Sequence, residues 1–406
     1  MDKRAYGIFS IPVIVGALGY FVDIYDLLLF GIIRKTSLAS LGLTPEEVLT
    51  KGEFIIGVQM VGLMIGGIIW GIMGDKKGRL SVLFGSIVLY SLANIANGMV
   101  QTVDQYALLR FIAGVGLAGE LGAGITLVSE LLPKEKRGIG TSLVAGIGLT
   151  GAVVAYFISK EFDWRICYYI GGAMGLLLLL LRVSVFESGM FKETKELNVS
   201  RGNFLMLFNN KDRFFTYLKC ILIGLPTWFV IGVLVSFSDK FGTEMGITGA
   251  IDPGRAIMYA YVGISIGDVL IGLLSQKLRS RKKALFIFYG LTIVFMGLFF
   301  AQSGGTPATM YLICAGLGFA TGFWAIFVTI AAEQFGTNIR AMAATTVPNM
   351  VRGALPLIIL LFKYLREETG YINGAIITAA IIMCITLVAA WFTRETFGKD
   401  LNYVEA

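Results

Sequence analysis

Residues 71–79 read GIMGDKKGR, and residues 272–281 read GLLSQKLRSR. The two segments align with an offset of 201 residues, which places Gly71 opposite Gly272. Each segment directly follows a long apolar run, so a similar basic turn ends a hydrophobic stretch in both parts of the chain. A repeat at this distance indicates that the protein consists of two related halves.

A second pair of motifs repeats at almost the same distance. Residues 130–138 read ELLPKEKRG and residues 333–341 read EQFGTNIRA, so that Glu130 aligns with Glu333 at an offset of 203. Two independent motifs in the same order favour a duplicated bundle over a chance match. Repeated bundles of this kind are typical of transporters that move two halves about a central site.

The composition indicates that both halves lie in a membrane. Of the 406 residues, 56% are hydrophobic and only 15% are charged, and the mean hydropathy is +0.77. Because a helix needs about 20 apolar residues to cross a bilayer core, the sequence predicts an all-α membrane protein with twelve transmembrane helices in two pseudo-symmetric six-helix bundles. The predicted spans are residues 9–33, 54–73, 80–100, 106–132, 138–158, 165–181, 217–237, 256–274, 284–301, 310–332, 341–362 and 371–392.

The longest polar stretch separates the two sets of six spans. It predicts a first bundle at 1–185, a linker at 186–215 and a second bundle at 216–406. Lys and Arg concentrate in alternate loops, and such residues are retained on the cytoplasmic side. We therefore expect both termini and the linker in the cytoplasm, with no cleaved signal peptide before the first span. We expect a monomer, in the plasma membrane of a bacterium.

Charge and rare residues exclude several other functions. The net charge of +7 is explained by basic cytoplasmic loops near anionic headgroups, so no nucleic-acid partner is expected. The chain has no His, and none of its four Cys lies in a CxxC motif, which argues against a disulfide framework, a metal site or a cofactor. It also contains no G-x-x-x-x-G-K-[ST] phosphate loop, which argues against an ATP-driven pump with its own motor domain.

The segment at 71–79 resembles the loop signature that follows the second helix in the major facilitator superfamily. The match rests on Gly71, Asp75, Gly78 and Arg79. In that family the acidic residue packs near the start of the eleventh helix and holds the two halves together on the cytoplasmic side. The resemblance therefore implies that Asp75, Gly78 and Arg79 take part in gating. The predicted gate also includes Gly71 and four charged residues of the repeated loops, Glu130, Arg137, Glu333 and Arg340.

Further segments resemble the metabolite:proton, phosphate:proton and sugar-porter-like branch of that family. They read FVDIYDLLLF at 21–30, RFIAGVGLAGELGAG at 110–124 and DWR at 163–165. Sugar porters carry a Pro-Glu-Ser-Pro-Arg signature after the sixth helix, whereas this chain reads FESGM at 186–190. Both prolines are missing, which argues against a sugar substrate.

Ionisable residues within a span cost several kcal/mol unless they are paired, hydrated or protonated, so each is a candidate functional residue. Asp23 and Asp26 share one helix face because they are three residues apart. Asp26 and Arg110 have similar predicted depths, so they can form a structural ion pair within the first bundle or line a cavity. Four acidic and two basic residues lie well inside the predicted spans, so two of the acids have no basic residue to compensate them. We favour Asp23 and Glu120 as these two acids. The predicted proton-coupling residues are Asp23, Asp26 and Glu120.

Arg352 is the basic residue within a span of the second half. It lies in VPNMVRGALP at 347–356, where prolines can open the backbone toward a cavity. Its planar guanidinium suits a carboxylate or phosphate, but an ion pair with Asp268, at a comparable depth, is the alternative. The predicted substrate-binding residues are Arg110, Arg352, Asn349, Tyr20, Tyr25, Trp228 and Trp324.

Together these features predict a secondary active transporter and not an enzyme. The favoured function is proton-coupled uptake of a small polar metabolite by alternating access, with an anion favoured over a sugar. A facilitative uniporter and a proton-driven exporter of a small molecule or sugar are the alternatives. Residues 146–155 lack the Gly-Pro pair expected of exporters, which favours uptake.

Overall fold

The computed structural model describes residues 7–182, 203–399 and 403–405. In this part of the chain, twelve helices are long and apolar enough to cross a membrane, and each coincides with one predicted span. The all-α, twelve-span prediction is therefore confirmed, whereas most of the predicted linker lies outside the described residues. Seven spans are continuous helices: the first at Ile11–Ser40, the second at Pro45–Lys77, the third at Arg79–Asn97, the sixth at Trp164–Arg182, the eighth at Pro253–Leu278, the ninth at Arg281–Phe300 and the twelfth at Tyr371–Trp391.

The other five spans are interrupted. The seventh combines helices Lys211–Leu222 and Leu225–Phe229 with a π-helix at Val230–Val235, and Pro226 lies in the first turn of its second piece. The remaining four consist of two helices each: the fourth of Val103–Leu117 and Glu120–Leu131, the fifth of Lys134–Leu149 and Gly151–Glu161, the tenth of Pro307–Ala320 and Trp324–Gln334, and the eleventh of Arg340–Gly353 and Leu355–Thr369.

The interruptions follow the internal repeat. The fourth and tenth spans break after Ala118 and Thr321, which are 203 residues apart. The fifth and eleventh spans break at Thr150 and Ala354, which are 204 residues apart. These offsets nearly equal those of the loop motifs, so the two halves share the positions of their helix breaks as well as their loops.

Local sequence sets where several spans begin. Thr44 opens the second span with a capping box, because its hydroxyl accepts from the Glu47 backbone N–H while the Glu47 carboxylate accepts from the Thr44 N–H. The second, eighth and tenth spans each have a proline in the first turn, where its missing N–H costs no hydrogen bond.

The two halves meet along two pseudo-symmetric contacts. The second span packs along the eleventh, and the fifth packs along the eighth. Gly71 allows the first contact, since a Cβ atom at this position would lie 3.1 Å from the Cα of Met342. Gly78 ends the second span with a φ of 102°, a conformation that favours glycine.

Candidate functional site

Arg352 is buried where the second half faces the first. Its guanidinium lies 5.8 Å from the ring centroid of Trp228 and 5.6 Å from that of Trp324. The two indole rings are 6.4 Å apart at 70° to each other. Nε of Arg352 and Nε1 of both indoles are buried donors without a hydrogen-bond partner among the described residues. The seventh, tenth and eleventh spans thus bring three unused N–H groups together, one on the guanidinium itself and two on the indoles beside it.

Residues of the first and eighth spans complete this group. Tyr20 is fully enclosed and lies within electrostatic range of Arg352, Asp23 and Asp268. Tyr261 of the eighth span is likewise near Arg352 and Asp23. We call Tyr20, Asp23, Trp228, Tyr261, Asp268, Trp324, Asn349 and Arg352 the Arg352 cluster.

Asn349 connects Arg352 to the first half. Its side-chain Oδ1 accepts a hydrogen bond of 3.1 Å from Arg352 NH1. Its Nδ2 donates to the carbonyl of Ala118, at the break of the fourth span, and to that of Thr345, both at 2.8 Å. Asn349 is therefore in contact with both halves of the protein.

Asp268 is placed at the break of the tenth span. Its Oδ1 accepts from the backbone N–H of Ala325 at 2.9 Å, at the start of helix Trp324–Gln334. Among the described residues Asp268 forms no salt bridge with Arg352, and its Oδ2 has no hydrogen-bond partner. The structure therefore gives this carboxylate the position of a helix cap next to Trp324.

Arg110 lies in a separate group within the first half. Its NH2 donates to the backbone carbonyl of Asp26 at 2.9 Å, its NH1 to Asn94 at 3.2 Å and its Nε to Gln59 at 3.4 Å. Its guanidinium also lies 5.5 Å from the ring centroid of Tyr168. In the described part of the chain the carboxylate of Asp26 accepts no hydrogen bond.

Two further predicted site residues form hydrogen bonds within the first half. The Tyr25 hydroxyl donates to the backbone carbonyl of Cys167 at 2.9 Å, so it belongs to the group around Arg110 and not to the Arg352 cluster. Glu120 is buried at the start of the second helix of the fourth span, and it accepts a hydrogen bond of 2.8 Å from Ser86. A helix N-terminus favours a negative charge at this position.

The predicted gate joins the two halves at one end of the molecule. The Asp75 carboxylate accepts hydrogen bonds from the backbone N–H groups of Ala341 and Met342 at 3.2 and 2.9 Å. The carboxylate thereby caps the start of the eleventh span. Arg340 NH1 lies 3.8 Å from Glu130 Oε1 across the same interface. We call this the Asp75 end. The side chains of Arg79 and Arg137 lie outside the described part of the structure.

Glu333, by contrast, contacts its own half. It forms a salt bridge of 3.2 Å with Arg281 and accepts a hydrogen bond of 2.7 Å from Thr396. It therefore links the ninth and tenth spans to the segment after the twelfth. Of the two aligned acids, Glu130 and Glu333, only Glu130 lies in a described contact between the halves.

Ion pairs join the halves at the opposite end, which we call the Lys35 end. Lys35 of the first span lies 2.6 Å from Asp239, which follows the seventh. Arg34 also lies 3.8 Å from Asp239, and two further pairs are Lys160 with Asp252 at 2.7 Å and Arg366 with Glu53 at 3.3 Å. Both ends are thus bridged in this structure, and the Arg352 cluster lies between them.

Several of these residues are not apparent in the sequence. Tyr261, Gln59 and Asn94 are uncharged and lie within apolar runs, so only their polarity inside a span could have indicated them. The ion pairs at the Lys35 end join residues far apart in sequence. The sequence indicates these ion pairs only weakly, because each charged residue lies near the end of a span, where charged residues are common.

Comparison with known proteins assigns a family to this arrangement. Residues 16–359 match the family model of the Major Facilitator Superfamily. The niacin transporter NiaP of Acinetobacter baylyi is 25% identical, and the alignment covers 96% of this chain and 95% of that protein. The 3-(3-hydroxy-phenyl)propionate transporter of Escherichia coli is 26% identical, with 84% and 85% covered.

A solved structure has the same fold. The proton:xylose symporter XylE bound to 6-bromo-6-deoxy-D-glucose superimposes with a TM-score of 0.78 at 19% sequence identity, and 97% of each chain is covered. At this identity the likeness concerns the fold alone.

Proposed function

Because the chain belongs to the major facilitator superfamily, we propose that it takes up a small organic acid by proton symport and binds the acid's carboxylate at Arg352. It is a multi-pass transporter of small metabolites in the inner membrane. The proposal adds the charge of the substrate, the residue that binds it and the coupling ion.

The observation that carries the proposal is the environment of Arg352. A guanidinium binds a carboxylate through two parallel N–H groups, and the Nε of Arg352 is unused among the described residues. Trp228 and Trp324 add two further N–H donors and two ring faces, which favour a flat or aromatic acid. The names of the two relatives agree with this class, because niacin and 3-(3-hydroxyphenyl)propionate are both aromatic carboxylic acids.

Proton coupling is proposed from the acids buried in the first half. Asp23 belongs to the Arg352 cluster, so its protonation would change the charge that a bound anion meets. Glu120 lies at the break of the fourth span, whose Ala118 carbonyl is bonded to Asn349. Both acids are therefore close to elements that contact the substrate residue.

Nicotinate and nicotinamide give a matched test of the charge requirement, because they differ only in carboxylate against amide. We expect purified protein in liposomes to take up labelled nicotinate or 3-(3-hydroxyphenyl)propionate, and excess nicotinamide or xylose not to compete. Competition by nicotinamide equal to that by nicotinate would contradict the proposed carboxylate site.

Replacing Arg352 by lysine should distinguish the loss of a substrate contact from general damage to the protein. Lysine keeps the charge but cannot form the paired hydrogen bonds, so we expect the KM for the acid to rise by about tenfold or more. Arg255→Lys is the matched control, because Arg255 is exposed and lies on the rings of Tyr259 and Tyr311. An unchanged KM in Arg352→Lys would exclude Arg352 as the anchor.

The coupling ion is tested separately. With an inward proton gradient, the unaltered protein should accumulate the acid and raise the pH outside the liposomes. Glu120→Gln should abolish accumulation and leave exchange of labelled for unlabelled acid intact. Accumulation that persists in both Glu120→Gln and Asp23→Asn would show that neither acid carries the coupled proton.

A further inference from the structure

The amide of Asn349 is almost fully used by the protein. Both Nδ2 hydrogens are donated to backbone carbonyls, those of Ala118 and Thr345, and Oδ1 accepts from Arg352. An amide has two donors and one acceptor atom, so little capacity remains for a substrate. Asn349 is also only 1% exposed. Its contacts are those of a residue that positions Arg352.

The hydrogen bond from Asn349 to Ala118 joins the two halves at the break of the fourth span. Ala118 lies where the first helix of the fourth span ends, and a helix end leaves carbonyl groups without partners in the helix. Asn349 supplies a donor from the eleventh span. The same span begins at the N–H groups that the Asp75 carboxylate caps. Separation of the halves at the Asp75 end would therefore pull the eleventh span away from Ala118.

From this arrangement we propose that Asn349 couples closure of the Asp75 end to the orientation of Arg352. When the halves are together there, Ala118 and Thr345 fix the amide, and Oδ1 holds Arg352 NH1 in place. When the halves separate, the bond to Ala118 breaks, the amide is free to rotate, and Arg352 loses its fixed orientation. The site then binds an anion tightly while the Asp75 end is closed and weakly after it opens, which favours release there.

The close approach of the second span permits a test that leaves the amide intact. A Cβ atom on Gly67 would lie 2.8 Å from Cβ and 3.1 Å from Nδ2 of Asn349. Gly67→Ala should therefore displace Asn349 without changing its chemistry. Gly57→Ala on the same helix is the matched control, because its Cβ would meet only Pro356, at an ordinary 3.8 Å.

The first measurement compares KM from the two sides in right-side-out and inverted membrane vesicles. It rests on the proposed function and uses nicotinate and 3-(3-hydroxyphenyl)propionate as probes. In the unaltered protein we expect KM to be about tenfold lower from the Lys35 end. Asn349→Leu and Gly67→Ala should raise the KM measured from the Lys35 end toward the KM measured from the Asp75 end. The KM measured from the Asp75 end should stay within about twofold of its original value. Gly57→Ala should change neither KM. Equal KM values in the unaltered protein, equal rises on both sides, or no rise would overturn the proposal.

The second measurement needs no substrate. Trp228 and Trp324 flank Arg352, so release of the guanidinium should change the tryptophan emission of the purified protein. We expect a change in Asn349→Leu and Gly67→Ala and none in Gly57→Ala. In a protein whose Trp228 and Trp324 are both replaced by phenylalanine, adding Asn349→Leu or Gly67→Ala should cause no further change in emission. Unchanged emission in both test variants overturns the positioning role. If the unaltered protein takes up neither acid, the proposed function is wrong, and the emission result still decides this inference.

Discussion

At the scale of single residues, one carboxylate at the Asp75 end joins segments that are far apart in the sequence. Glu395, after the twelfth span, accepts hydrogen bonds from the Ser280 hydroxyl and from the backbone N–H groups of Arg281 and Lys282, at the start of the ninth span. It also accepts from its own segment at Phe397. Burial alone would raise the pKa of Glu395, but these bonds together hold the pKa below its ordinary value.

The stabilisation by Glu395 should therefore depend on pH. Because its pKa is lowered in the folded state, the contribution is present above the ordinary value of about 4.3 and is lost as pH falls through the lowered value. We expect Glu395→Gln to lower the midpoint of thermal unfolding at pH 7, by the equivalent of about 0.5 to 1 kcal/mol for a half-exposed helix cap. Scanning fluorimetry should show this difference shrinking below about pH 4. Glu367→Gln, at an exposed position, is the control, and a difference that persists unchanged at low pH would contradict the explanation.

The sequence predicted Arg352, Asn349, Trp228 and Trp324 as candidates, but it could not show which candidates lie together in space. A buried charge is conspicuous in an apolar run, whereas the rotation of each helix about its axis is set by packing against neighbours. Tyr20 and Tyr25 illustrate the difference, because both were candidates and only Tyr20 lies in the Arg352 cluster. Tyr261 was missed for the same reason.

At the scale of helices, the breaks in the fourth and tenth spans place functional groups at helix ends within the membrane. Hydropathy does not show such breaks, since the pieces on both sides are equally apolar. In the tenth span the break exposes backbone N–H groups at Trp324 and Ala325, and Asp268 of the eighth span caps them. The cap therefore helps to fix the indole that lies against Arg352.

Substitutions of Asp268 should distinguish a cap from a charged partner. Asp268→Ala removes the acceptor, so we expect a loss of about 1 to 2 kcal/mol of stability and a raised KM for the transported acid, because Trp324 is displaced. Asp268→Asn keeps an acceptor oxygen and should preserve most of both. Thr378→Val, which removes a buried hydroxyl bonded to its own helix, is the control. If Asp268→Asn is as damaging as Asp268→Ala in unfolding and transport assays, the charge and not the cap is what matters.

At the scale of the whole molecule, the sequence was most informative, because bilayer thickness fixes the length of a span and the repeated loops fix the number of halves. The resemblance at Asp75 also implied a contact with the eleventh helix, and the structure contains that contact. The bridges at the Lys35 end could not be deduced, since their partners come from different halves. Which end faces the cytoplasm stays a prediction from the basic loops.

The buried Asp75 cap and the exposed Lys160–Asp252 pair should contribute unequally to the conformational equilibrium. Asp75 is 1% exposed and accepts two N–H groups at a helix N-terminus, an arrangement worth about 1.5 to 3 kcal/mol. Lys160 is half exposed, and such surface pairs contribute about 1 kcal/mol or less. We therefore expect Asp75→Asn to increase the population open at the Asp75 end by about tenfold or more, and Lys160→Gln to increase the population open at the other end by at most about fivefold.

Spin-label distances can measure both populations in one set of proteins. Labels at Lys77 and Lys283 report on the Asp75 end, and labels at Lys51 and Thr248 report on the Lys35 end. Lys363→Gln is the control, because this exposed lysine forms no salt bridge among the described residues. A larger opening in Lys160→Gln than in Asp75→Asn would show that burial does not decide which bridge dominates. The expected order would instead mean that the buried Asp75 cap, on the span that also holds Asn349 against Ala118, opposes opening more strongly than the exposed Lys160 pair.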